Sequence, residues 1–266
     1  METKNLEFLK DALKYLGFGD KLNVTLESKI KELPAEFQLN TTVEFKKAEG
    51  VEKVDYKLEF RKSTTTDMYF FNRYAATLTH ENPANEKSQT FYIDKNAGVT
   101  AKEAFNLLSG RAVNKDLTNK EGQPFNAWLQ LDFTEKDKNN NFKVKQFHAG
   151  YGYELDKVLD KYPIKELSDP EQKVKIMKSL EKGNVTGVTF NSEGKEQKMF
   201  IEPNPQFKSV TVYDSAMKKI FQENDKKEQH QEAAKAPEKK EALKKDSIEN
   251  EETSKKKRPK RRGVGV

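Results

Sequence analysis

Of the six arginines in this chain of 266 residues, three stand within the last twelve positions. A guanidinium presents a planar fork that matches a phosphate in two-point fashion, which an ammonium does not. Lys255, Lys256, Lys257, Arg258, Lys260, Arg261 and Arg262 form a run with no acidic residue among them. The formal net charge is +6, from 49 basic and 43 acidic residues. Without the run, 42 basic residues face 43 acidic ones, a net of −1. The overall basicity is therefore a property of one short segment. Such a segment attracts polyanions, nucleic acid first and an anionic membrane surface a distant second. The plainer reading is that it only raises solubility.

Other chemistry is hard to find. Cysteine is absent, which excludes disulfides and thiolate metal sites. His80, His148 and His230 are far apart and have no second ligand three or four residues away, so no metal site is expected. No serine, threonine or lysine stands in a nucleophile motif, and no phosphate-binding glycine loop occurs. Gly17-Phe18-Gly19 and Gly150-Tyr151-Gly152 fit turns. Asp132, Glu135 and Asp137 precede an Asn139-Asn140-Asn141 turn and read as a solvated loop edge. No catalytic residue and no cofactor is expected, and the chain does not read as an enzyme.

The aromatic residues leave more open. Met68-Tyr69-Phe70-Phe71-Asn72-Arg73-Tyr74 puts rings on both faces of a strand, with an arginine among them. That is either a stacking platform with a phosphate contact or, as aromatic strands more often are, a central strand covered on both sides. Trp128 falls on the polar side of a strand whose apolar set is Phe125, Ala127, Leu129, Leu131 and Phe133. It is either an interaction hot spot or the cover of a second small core. Arg111 follows the helix-ending Gly110, where a cation suits the helix dipole. Arg73, Arg111 and Trp128 are the candidate contacts of the folded body.

The elements that must position these residues show a period. Glu-Gly occurs at positions 49–50, 121–122 and 193–194, a spacing of 72. Each pair lies between strand-like segments: 37–45 and 54–60, 112–117 and 125–133, 185–190 and 197–201. A further strand follows each, at 68–78, 142–148 and 207–213. A helix precedes each as well. Thr100-Ala101-Lys102-Glu103 reads as a capping box opening a helix that stops at Gly110, and Ser168-Asp169-Pro170-Glu171 as a second, leading to Gly183. In the first copy Leu22, Leu26, Ile30 and Leu33 form a stripe ending at Pro34. A connecting helix is expected between Tyr153 and Tyr162.

The fold expected is thus α+β, with helix-backed antiparallel three-stranded meanders repeated along the chain. The divisions expected are an N-terminal lobe, 1–97, a C-terminal lobe with two similar units, 98–222, and a disordered tether and basic tail, 223–266. No stretch approaches 18 consecutive apolar residues and the start lacks the apolar core of a signal peptide. A cytoplasmic protein without membrane contact is expected.

The segments 70–74, 102–113, 128–133 and 202–208, with the ending Arg261-Arg262-Gly263-Val264-Gly265-Val266, resemble a family of uncharacterised proteins encoded on conjugative transposons of gut anaerobic bacteria. The resemblance spans most of the chain before the tail. It implies a setting near the DNA-processing machinery of a mobile element and supplies no catalytic residue. Two functions follow as expectations: a non-catalytic accessory protein that touches nucleic acid through its tail, or a protein-interaction module whose tail is only solubilising.

Overall fold

Strict alternation of apolar and polar residues makes strands with one dry face. The computed structural model, which describes residues 3–47, 50–94, 97–192 and 194–220, bears this out. Strands β1 (Glu36–Lys47), β2 (Gly50–Lys62), β3 (Tyr69–Leu78), β4 (Lys87–Asp94) and β5 (Ala97–Gly98) form an antiparallel sheet in chain order. One face, carrying Leu39, Val54, Tyr56, Leu58, Phe60, Tyr69, Phe71 and Tyr74, is buried. Helix α1 (Thr3–Tyr15) lays Leu6, Leu9 and Leu13 on it at helical spacing, and α2 (Asn23–Lys31) adds Leu26 and Ile30. The first unit therefore has five strands where three were expected.

Helix α3 (Ala101–Leu108) begins at Thr100 with the expected capping box. Thr100 Oγ1 accepts from the Glu103 amide at 3.3 Å, and Glu103 Oε2 accepts from the Thr100 amide at 2.8 Å. Three strands follow as a second antiparallel sheet, β6 (Val113–Thr118), β7 (Pro124–Lys136) and β8 (Phe142–His148). Short helix α4 (Leu155–Leu159) leads to α5 (Pro170–Glu181). The N-cap of α5 is Asp169, not Ser168: its carboxylate accepts from the Glu171 and Gln172 amides, while Ser168 donates to the Lys165 carbonyl in the preceding turn. Pro170 at the first helical position needs no amide partner, which sets the cap one residue later. Strands β9 (Thr186–Ser192), β10 (Lys195–Asn204), β11 (Ser209–Tyr213) and β12 (Lys219–Ile220) form the third sheet, in the order β9-β10-β11-β12. Gly194, with φ +78°, sits in the two-residue turn between β9 and β10. The architecture is α+β, with three antiparallel sheets.

Two cores hold these elements. The first joins α1, α2 and the five-stranded sheet to α3 and to Val113, Ala127, Leu129, Leu131 and Phe142 of the second sheet. The second joins Trp128 and Phe147, on the opposite face of that sheet, to α4, α5 and the third sheet. The second sheet is thus a wall shared by both cores. A division at Ala97 does not match this packing, because the first core draws α3 and half of the second sheet across it; residues 1–220 form one compact unit. Side chains stitch the same boundary. Gln89 on β4 donates to the Phe142 carbonyl and accepts from its amide (3.3 and 2.8 Å), and Asn141 accepts from the Thr90 amide at 2.8 Å. Among the described residues no helix is long and apolar enough to cross a membrane.

Candidate functional site

The capping box fixes where α3 starts and so which of its residues share a side. Lys102, Phe105 and Ser109, at helical spacing, line a cavity of about 470 Å³ between α3 and the third sheet. Lys46 near the end of β1, Arg111, and Phe200, Glu202 and Tyr213 of β10 and β11 also line it. Phe105 stacks on Phe45 with ring centroids 4.2 Å apart. The Lys102 ammonium lies 4.6 Å from the Phe105 centroid and 4.7 Å from that of Phe45. The Arg111 guanidinium is 5.0 Å from the same Phe105 ring. Lys102 is exposed as a whole residue. Around its folded-back ammonium, however, desolvation and, second, the Arg111 charge lower its pKa below the ordinary lysine value. Among the described residues no carboxylate lies within ion-pair distance of Lys102.

Arg111 has a structural duty as well. Its Nε donates to the Gly183 carbonyl at 3.0 Å and its Nη2 to Asn106 Oδ1 at 2.7 Å. Fully buried Asn106 in turn donates to the Lys182 carbonyl and to Asn184 Oδ1 (2.5 and 3.0 Å). The cation thus serves the C-terminal end of α5, not that of its own helix as its position after Gly110 suggested. Desolvation lowers its pKa, opposed by Glu202, Glu52 and Tyr213. Across the cavity Tyr213 donates its hydroxyl to Glu202 Oε1 at 2.7 Å, and desolvation with the Glu202 charge pushes the phenol pKa up.

The other candidates lie elsewhere. Only one face of the strand around Arg73 is covered. Phe70, Arg73 and, on the neighbouring strand, Tyr92 (62% exposed) stand on the open face of the first sheet, so the expected covering on both sides does not occur. Arg73 is 49% exposed and its Nε pairs with Glu59 at 2.5 Å. Arg61, on the same face, lies 3.9 Å from Glu36, and Lys53 lies 3.1 Å from Glu44. A phosphate at Arg73, Arg61 or Lys53 would have to displace a carboxylate already in place. Trp128, 6% exposed, meets Tyr153 edge-on at 5.3 Å and covers the second core, one of its two readings. The three body candidates are therefore not brought together. The run from Lys255 to Arg262, the tether and His230 lie outside the described residues.

The described residues contain no group of three His, Asp or Glu side chains that could hold a metal. Asp132 pairs with Lys145 at 3.1 Å, Glu135 with Lys143 at 2.5 Å, and Asp137 accepts amides of its own loop, which fits the loop-edge reading. Lys46, Lys102, Glu202 and Tyr213 were not singled out from the sequence. The one signal available was the spacing of Lys102, Phe105 and Ser109 along one side of a capped helix. No protein-family model matches the chain, and no curated protein or solved structure matches it significantly.

Proposed function

We propose that this chain is a non-catalytic accessory protein that contacts nucleic acid through Lys255, Lys256, Lys257, Arg258, Lys260, Arg261 and Arg262. The cytoplasmic, DNA-processing setting of a mobile element, implied by the sequence resemblance, is part of the same proposal. The observation that carries it is the segregation of charge: seven cations without an acid in a chain otherwise near neutrality. Two features of the body agree. Lys53, Arg61 and Arg73 on the open sheet face each lie beside a carboxylate, so they add little attraction for a polyanion. The protein-interaction reading, meanwhile, loses its strongest anchor, because Trp128 is used inside the second core.

Affinity for single- and double-stranded DNA and for RNA across a salt series tests this, with the full chain and a chain ending at Ser254. Neutralising up to seven phosphates gives a log–log slope of about −4 to −6, and truncation is expected to abolish binding. Binding that survives truncation with its slope intact moves the contact into the folded body. No binding by the full chain at low salt overturns the reading and leaves the protein-interaction module.

A further inference from the structure

We infer that the cavity beside α3 is a second, separate site, one that takes a phosphate monoester carried on a flat ring: a nucleoside monophosphate, free or as the 5′ end of a strand. The inference does not rest on the tail. Its starting point is a pair of like charges. The Lys102 ammonium and the Arg111 guanidinium both lie against one phenylalanine ring, at 4.6 and 5.0 Å from its centroid. Arg111 is held by its bonds to Gly183 and Asn106; Lys102 rests on the Phe45 and Phe105 rings and pairs with no described carboxylate. An anion beside Lys102 would offset a charge that desolvation and the Arg111 charge already disfavour. Arg111 can reach one, because no acceptor among the described residues meets its Nη1. Lys46 adds a third cation at the rim.

The remainder of the cavity says what the anion is attached to. A volume of about 470 Å³ is in the range of small-molecule pockets and far exceeds what an inorganic anion fills. Phe200 supplies an aromatic wall; Gly187, opposite it on β9, puts no side chain over the ring, and the Lys198 ammonium lies 5.5 Å from its centroid. Glu202, which accepts from the Tyr213 hydroxyl, lines the same wall. Cations and an aromatic wall in one cavity of this size fit a phosphate carried on a flat ring.

Calorimetric titration of the full-length protein with a nucleoside 5′-monophosphate tests this, with inorganic phosphate and the unphosphorylated nucleoside as partial ligands. Saturable one-to-one binding of the nucleotide is expected, at least tenfold tighter than either partial ligand. Lys102→Gln should weaken it tenfold or more in a protein that still unfolds in one cooperative transition; the variant keeps the tail, so a tail contribution cannot mimic the loss. Oligonucleotides with and without a 5′-phosphate separate the two sources. A Lys102-dependent preference for the phosphorylated end identifies a strand terminus, and binding of the mononucleotide alone identifies a free ligand. Nucleotide binding that is absent, unmoved by Lys102→Gln, or no tighter than that of inorganic phosphate overturns the inference.

Discussion

Two tyrosine hydroxyls show how polar atoms are admitted to a core that aromatic rings dominate. Tyr56 donates to the Ala101 carbonyl at 2.7 Å and Tyr74 to that of Val99 at 2.5 Å, so the five-stranded sheet grips the chain where α3 starts. A buried hydroxyl without a partner would cost about 1–3 kcal/mol, so these bonds fix position as much as they stabilise. Asp132 is the counterpart at the surface. Its carboxylate accepts from the Thr134 hydroxyl and amide (2.6 and 3.0 Å) and pairs with Lys145 at 3.1 Å. Bonds from Thr134 first, then from Lys145, hold its pKa down to about 2. The folded pKa lies below the unfolded one, near 4. The contribution is therefore present above about pH 4 and is lost as pH falls through about 2. Asp132→Asn should lower the thermal midpoint at pH 7, by a margin that shrinks from pH 4 and vanishes near pH 2. A margin that stays constant over that range would mean that the ionised carboxylate contributes nothing.

Among the elements, helix ends and hairpins were legible because their signals are local. The capping box at Thr100, the helix stops and the hairpin glycines Gly50, Gly122 and Gly194 lie within a few residues of what they specify, while Glu49 and Glu193 lie outside the described residues. The fourth and fifth strands of the first sheet were not legible. Gln89 puts an amide on the inward side of β4, and only Phe142, 53 residues away, explains it. The cavity escaped for the same reason, since α3 and β10 meet only through the tertiary fold. Gly183, just after α5, shows how close another such meeting is, with the segment that follows α3. Its φ is +75°, and a Cβ there would lie 2.7 Å from the Ala112 carbonyl oxygen and 2.9 Å from Val113 Cγ2. Gly194 has a similar φ, +78°, with nothing within 4 Å. Gly194→Ala should therefore lose only the backbone preference, about 1 kcal/mol. Gly183→Ala adds overpacking and should lose about 3 kcal/mol. Urea midpoints compare the two, and equal losses would show that the joint between α3 and α5 yields freely.

For the molecule as a whole the shared second sheet decides how it unfolds. Its Leu129 face belongs to the first core and its Trp128 face to the second, so neither core closes without the same three strands. Coupling of this kind makes one cooperative transition across residues that the sequence had divided at position 97. Trp128 is the only tryptophan and lies in the second core, so its fluorescence reports on that core, while far-ultraviolet circular dichroism reports on all three sheets. The two should give coincident urea curves. Leu129→Ala removes a buried side chain from the first core and should cost about 2–5 kcal/mol. If the wall is shared, the fluorescence of Trp128, on the opposite face, moves by the same amount as the dichroism. Separation of the curves in the variant, with dichroism lost first and fluorescence held, would show the second core standing alone and would restore a two-lobed protein.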